Sequence, residues 1–285
     1  MVPRIDTHTH LGRLRRDDPG LTPEGLLSRL DRLGVRRAVV LAVESPEELD
    51  YYVPTTQVMD WCARHPGRLI PFCACDPRHR YPGRFDPYPV LAEYAAAGCR
   101  GFGENLCGLP IDDPMQRRVY EACARLRLPV VLHIDRWINR DAPGLPGLER
   151  IVKDYPEVTF IGHAQCFWRE ISAEVDPEGL YPTGPVVPGG RVEELLSRYP
   201  NLMADLSAHS GYNALARDPE HAAAFLERQR HKLLFGTDLL AADQRIDIAA
   251  FLDGLPLSAA TREAVYFRNA ARLLGLPDDA RALGG

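Results

Sequence analysis

The stretch Arg4-Ile5-Asp6-Thr7-His8-Thr9-His10-Leu11 decides how the rest of the chain is read. In an extended strand alternate side chains share a face, so Asp6, His8 and His10 point the same way. Two imidazoles side by side at a strand end suit one metal ion. The same pattern also describes a polar strand end with partly solvated histidines. With Ile5, Thr7 and Thr9 turned outward, the histidine face is the interior of a barrel. No glycine-rich turn follows this strand, which weighs against a doubly wound nucleotide-binding sheet.

Further apolar runs, rich in Val, Ile, Leu and Phe, occupy residues 38–43, 69–75, 99–104, 130–134, 158–162, 202–206 and 233–235. Several are apolar throughout, as parallel strands covered on both faces are. Helical patterns separate them. Leu26, Leu27, Leu30 and Leu33 fit one helix face, and so do Val192, Leu195, Leu196 and Tyr199. Met115, Val119, Cys123 and Leu126 repeat the spacing less cleanly. Segments 57–65, 88–97, 146–155, 219–230 and 258–274 complete the set, with Gly34, Pro66, Gly98, Pro129, Pro156, Pro200 and Gly275 where helices should stop. Eight strand signals, each followed by a helix signal, predict an α/β fold: a (β/α)8 TIM barrel, one domain over residues 1–285. Two connections are long, 76–86 after the third strand and 165–190 after the sixth. Both lie on the face where barrel enzymes carry their chemistry, and the aromatics Trp168 and Tyr181 favour an ordered lid over a mobile tether.

Composition narrows the function. The chain has 285 residues, 45% apolar and 26% charged, with 34 Lys and Arg against 39 Asp and Glu for a net charge of −5. These proportions exclude disorder, collagen and a coiled coil. No apolar run approaches the roughly 18 residues of a membrane span. Residues 1–20 lack the basic start and apolar stretch of a secretory signal, so the expected location is the cytoplasm. The mild acidity weighs against nucleic acid as a partner; a small-molecule substrate is expected, and a homo-oligomer stays open. The seven cysteines are odd in number and contain no C-x-x-C pair, so reduced, mostly buried thiols are expected.

Ligand-type residues end several strands. Glu104 ends the fourth run, His133 the fifth, His163 the sixth and Asp238 the eighth. Burying such groups at so many strand ends is costly without a purpose, and a metal centre accounts for all of them together. Asp205 and Ser207 end the seventh strand and His209 follows, placing them at the mouth of the site. Arg136, Trp137, Arg140, Trp168 and Arg169 fall on loops above the same face, where they either contact an anionic or aromatic substrate or are simply solvated. Tyr51 and Tyr52, after the second strand, are further candidates for the pocket wall. His65, His79, His221 and His231 read as surface residues.

These motifs resemble the amidohydrolase superfamily, in particular its amidohydrolase-2 group of metal-dependent barrel hydrolases. The likeness rests on Ile5-Asp6-Thr7-His8-Thr9-His10, Val131-Leu132-His133, Ile161-Gly162-His163, Leu234-Phe235-Gly236-Thr237-Asp238, and the segment from Asn269 to Gly275. It implies that His8, His10, His133 and Asp238 ligate metal. His163 would bind a second metal or polarise the substrate, and Asp238 would also carry a proton. Two-metal relatives bridge their ions with a carboxylate from the fourth strand, and the stretch from Glu104 to His133 also resembles the TatD-like nucleases, which use Glu there. Decarboxylases of the amidohydrolase-2 group hold one metal without that bridge. Glu104 therefore turns the reading towards two divalent ions rather than one, with zinc first and Mn, Fe or Ni as chemically similar choices; a carboxylate beside a single metal is the alternative. Two ions beside Glu104, Asp238 and a hydroxide would keep about one positive charge, whereas one ion would leave about one negative charge and a poorer electrophile. The implied activity is hydrolysis of a small amide, ester or lactone by metal-activated hydroxide. Asp6 either orients a liganding imidazole or pairs with a nearby polar group. The rivals are a TatD-like phosphodiesterase, a mononuclear-metal decarboxylase and a non-catalytic binding barrel; the last is weakened because no ligand position is lost.

Overall fold

Each predicted apolar run overlaps a strand: β1 (Arg4–Thr9), β2 (Val35–Leu41), β3 (Leu69–Phe72), β4 (Phe102–Asn105), β5 (Val130–His133), β6 (Phe160–His163), β7 (Leu202–Asp205) and β8 (Leu233–Leu234). The computed structural model describes residues 2–277 apart from 48 and 82. All neighbouring strands pair in parallel, as β1-β2-β3 and β4-β5-β6-β7-β8. Two seams close the ring. Cys73 N donates to Gly101 O at 2.9 Å and Gly103 N to Cys73 O at 2.8 Å, joining β3 to β4. Thr7 N donates to Phe235 O at 3.0 Å, Asp238 N to His8 O at 2.8 Å and His10 N to Leu239 O at 2.8 Å, joining β8 to β1. The result is the (β/α)8 barrel.

The helices between strands are α1 (Pro23–Arg32), α2 (Thr55–Arg64), α3 (Pro87–Ala96), α4 (Pro114–Leu126), α5 (Pro146–Asp154), α6 (Gln165–Trp168), α7 (Arg191–Arg198), α8 (Ala208–Ala216) and α9 (Pro219–Gln229). After β8 come α10 (Ile248–Gly254), α11 (Ala259–Glu263) and α12 (Asn269–Leu273), the last two joined by a π turn at 264–268. Four helices start by one device. Thr22, Asp86, Asp113 and Asp218 each precede a proline, and each side chain accepts a first-turn backbone N–H, from Gly25, Tyr88, Met115 and His221 respectively. Proline fixes the first helical φ and lacks the N–H that would go unpaired, while the capping oxygen satisfies another.

Side-chain alternation sorts the strands into two apolar layers. Val39, Leu41, Ile70, Phe72, Val131, Ile161, Met203 and Leu234 pack together inside the barrel with Phe267, Ala270, Ala271 and Leu274. The residues between them, such as Val40, Leu132, Phe160 and Ala204, face outward onto the helices. Ile5 belongs to the inner layer, which corrects the expectation that it turns outward. The cause is local: the β1–β2 register shifts between Arg4 and Ile5 and again between Asp6 and Thr9, so strict alternation does not run through β1.

Residues 165–190 are also less irregular than expected, since α6 and a 3-10 turn at Arg169–Ile171 occupy their start. The rest is tied down: Arg169 Nη1 donates to Pro177 O at 2.7 Å and Val187 N to Ser172 Oγ at 3.0 Å. Loop 76–86 lies between β3 and α3; its residue 82 lies outside the described residues. The seven cysteines are buried and free. Among the described residues no helix is long and apolar enough to cross a membrane.

Candidate metal centre

The C-terminal ends of the strands converge on a cavity of about 390 Å³. Its floor is His10, Glu104, His133, His163 and Asp238, and its walls include Leu14, Val43, Leu49, Leu106 and Leu240. The backbone is strained where three strands hand over to their loops. Ala164, Ala208 and Asp238 follow β6, β7 and β8 with φ of 76°, 64° and 56°, and all three line the cavity. Left-handed non-glycine residues are costly and concentrate at functional sites.

Two groups of donors share one carboxylate. His8 Nε2 lies 3.2 Å from His10 Nε2, 3.4 Å from Glu104 Oε2 and 3.4 Å from Asp238 Oδ1. His10 Nε2 lies 3.3 Å from Glu104 Oε2 and 3.4 Å from Asp238 Oδ1. His8 Nε2, His10 Nε2 and Glu104 Oε2 form a triangle whose edges place a common centre about 2 Å from each corner, the length of a bond from a divalent ion to nitrogen or oxygen, and Asp238 Oδ1 meets the same two imidazoles. The other Glu104 oxygen, Oε1, lies 2.8 Å from His133 Nδ1 and 3.7 Å from His163 Nε2. The nitrogen and carboxylate donors, with two imidazole nitrogens turned on each other, fit divalent metal.

Electrostatics supports the fit. Burial lowers the pKa of His8, His10 and His133, yet the carboxylates around them overcome it. His133, beside Glu104 and Asp135, is pushed up to about 10. Burial raises Glu104 and Asp238, and the imidazoles reverse the sign and hold both below the ordinary range. The centre is rich enough in negative charge to hold protons on imidazoles that a metal would displace. The Nδ1 of His10 is buried with no hydrogen-bond partner among the described residues.

Several supporting residues differ from expectation, but Asp6 takes the second of the two roles expected for it, pairing with nearby polar groups. Its Oδ1 accepts from His8 N at 3.1 Å and Thr237 N at 3.0 Å, and its Oδ2 from Thr237 Oγ1 at 2.6 Å, so it pins the β1 and β8 backbones. Burial raises its pKa to about 7. Asp205 does not sit at the mouth; it is fully buried, with Oδ2 2.6 Å from His8 Nδ1. Trp168 is not a loop residue over the pocket. It is buried on α6, and its Nε1 donates to Asp205 O at 2.9 Å. Arg169, also read as a loop residue, is buried beside it. Arg136 pairs with Glu178 at 3.2 Å and Trp137 is exposed; neither lines the cavity.

His209 does line it, at the start of α8, 4.9 Å from the Tyr181 ring, whose hydroxyl accepts from Gln165 Nε2 at 3.0 Å. Tyr52 lines a separate hollow with Asp76 and Arg78. Asp135 escaped the sequence reading. Its Oδ2 is 3.2 Å from His133 Nε2, while its Oδ1 accepts from Trp137 N and Ile138 N, both at 2.6 Å. The available signal was its position two residues beyond a strand-ending histidine.

The comparisons with known proteins agree with this architecture. Among solved structures, the chain is similar to an uncharacterized TIM-barrel protein from Bordetella bronchiseptica, with 16% identity, 96% of this chain and 98% of that one covered, and a TM-score of 0.69. A putative 2-pyrone-4,6-dicarboxylic acid hydrolase from Pseudomonas putida gives 20% identity, 96% and 98% coverage, and 0.66. A 5-carboxyvanillate decarboxylase from Novosphingobium aromaticivorans, complexed with manganese and 4-hydroxy-3-methoxy-5-nitrobenzoic acid, gives 16% identity, 96% coverage of both chains, and 0.63. No functionally curated protein matches the chain. Nothing in these comparisons supports the TatD-like likeness. The Amidohydrolase family model matches residues 5–276. The chain is an enzyme of the amidohydrolase superfamily and belongs to its amidohydrolase-2 family.

Proposed function

We propose that the chain hydrolyses a small amide, ester or lactone at two divalent ions shared by Glu104. The observation carrying this reading is the split of that carboxylate, with Oε2 turned to His8 and His10 and Oε1 to His133 and His163. His8, His10, Glu104 and Asp238 would hold one ion, and Glu104, His133 and His163 the other. Zinc is the first choice for this donor set and manganese the second. When bound, the metal lowers the pKa of water and polarises the scissile carbonyl.

The chain's own groups do the rest. Asp238 Oδ1 faces His8 and His10, leaving Oδ2 to take the proton from the attacking water and pass it to the leaving group. Asp238 is held for this by its N–H on His8 O at 2.8 Å and by Gln244 Nε2, which donates to its carbonyl at 2.7 Å. The cavity volume limits the substrate to a small molecule.

Metal analysis of the purified protein, run beside a panel of amides, esters, lactones and aromatic or enol acids, tests the reading. Two ions per chain and hydrolysis without release of carbon dioxide are expected. One ion per chain with carbon dioxide released from an acid would replace it with decarboxylation.

A further inference from the structure

We infer that Asp205 is a positioning residue that sets the tautomer of one imidazole in each half of the site, and so couples the two halves. The inference rests on the metal-centre reading above. Asp205 Oδ2 lies 2.6 Å from His8 Nδ1 and 3.4 Å from His163 Nδ1. The same oxygen accepts from Ser207 Oγ at 2.8 Å, and Ser207 Oγ itself lies 3.2 Å from His163 Nδ1. The partner oxygen Oδ1 accepts from Ser207 N at 2.9 Å.

An ionised carboxylate only accepts hydrogen bonds, so His8 must present Nδ1–H to it. His163 Nδ1 does the same, to Asp205 directly or to a Ser207 hydroxyl whose own proton is given to Asp205. Both Nε2 lone pairs are then free on the opposite side, where His8 Nε2 meets Glu104 Oε2 at 3.4 Å and His163 Nε2 meets Glu104 Oε1 at 3.7 Å. Two carboxylates, Asp205 and Glu104, thus face the same two imidazoles at their opposite ring nitrogens.

Two further observations fit this role. Asp205 is 1% exposed, and among the described residues its charged partners within 4.0 Å are the two histidines, with no lysine or arginine. Burying a carboxylate is costly, and Asp205 is compensated through the two imidazoles and Ser207. Gly236 has no side chain because the space is taken: a Cβ there would lie 2.6 Å from Asp205 Oδ1 and 3.2 Å from His8 Cβ. The chain gives up a side chain on β8's extension to let Asp205 reach His8. Asp135 serves as the contrasting case, since among the described residues the one imidazole it meets is His133, at 3.2 Å.

A cobalt(II) titration followed by its visible absorption, with chelator competition for affinity, tests the coupling. Wild type is compared with Asp205→Asn and Asp135→Asn. Loss of such a supporting partner typically weakens metal binding by about 10–100-fold. Asp205→Asn should weaken both ions by that factor and alter the spectrum of both, whereas Asp135→Asn should weaken one. Wild-type affinity for both ions in Asp205→Asn overturns the inference. If wild type itself binds a single cobalt, the two-ion reading falls, and the effect of Asp205→Asn on that ion still decides whether Asp205 positions His8. Binding of no cobalt by wild type overturns both. Should Asp205→Asn fail to fold, Ser207→Ala, which removes the hydroxyl between Asp205 and His163, should weaken the His163 ion; unchanged affinity there would sink the coupling.

Discussion

The two ends of the barrel are built from the same strands, two residues apart. Val131 and His133 share a face of β5, Ile161 and His163 a face of β6, and Met203 and Asp205 a face of β7. At about 3.3 Å per residue, roughly 7 Å separates each apolar side chain from the polar one above it. Below, Phe267, Ala270, Ala271 and Leu274 complete an uncharged layer. Above, Glu104, Asp135, Asp205 and Asp238 crowd four imidazoles. The lower layer stabilises the fold by apolar burial; the upper one buries charged groups at a desolvation cost. One step of strand periodicity thus divides the residues that hold the barrel from those that act.

Asp238→Asn strikes only the upper end and carries the largest expected effect. Turnover should fall about 10²–10⁴-fold, the range for loss of a general acid–base. Thermal unfolding of the metal-stripped variant should stay near wild type, because removing the burial cost of one of the four crowded carboxylates offsets the loss of its contacts with His8 and His10. A variant retaining most of its turnover would remove Asp238 from the proton path. Phe267→Ala strikes only the lower end. Truncating this buried ring should cost about 3–5 kcal/mol in urea unfolding, with metal content and turnover per folded molecule unchanged. A parallel loss of metal would show that the ends are not separable.

Trp168→Phe probes the seam between them, because the indole packs 5.3 Å from Phe167 yet bonds Asp205 O. About 1 kcal/mol of stability should go with that hydrogen bond, along with a modest weakening of metal binding. Loss of stability with unaltered metal affinity would confine Trp168 to packing.

The same division governs what the sequence made legible. Apolar runs and helix stops located every strand and most helices, because burial on both faces leaves a continuous signal. The strand-end residues were legible as chemistry for the opposite reason: Glu104, His133, His163 and Asp238 interrupt apolar runs where a core residue would be expected. What periodicity could not convey was β1's shifted register, which puts Ile5 inside although His8 and His10 are inside as well. Nor could it separate Asp6 from Asp205. Both are buried aspartates near strand-end histidines, and only the fold shows that one meets backbone N–H groups and the other imidazoles. Trp168 was misplaced because the prolines and glycines after it disguised a short helix. The paired caps Thr22-Pro23, Asp86-Pro87, Asp113-Pro114 and Asp218-Pro219 were visible and would have placed four helix starts.

The smallest expected effect lies outside both ends, on the helical ring, and sharpens the contrast through pH. Glu149 on α5 accepts from Tyr199 Oη at 2.5 Å, Arg191 Nη2 at 2.6 Å and Arg198 Nη1 at 3.1 Å, fastening α5 to α7. The Tyr199 hydrogen bond leads the causes that bring its pKa down to about 2, against about 4.3 in an unfolded chain. A depressed folded pKa stabilises the protein above the unfolded value, and that contribution fades as pH falls through the folded one. Because the partners are partly solvated, Glu149→Gln should cost no more than about 1 kcal/mol at pH 7. The gap between wild type and variant in urea unfolding should then close between about pH 4.3 and pH 2. Acid also protonates the carboxylates of the metal centre, but it does so in both proteins, so the difference between them isolates the ring. A gap that stays constant across this range would mean that Glu149 acts by packing, and that the helical ring, like the apolar layer beneath the site, carries its stability without charge.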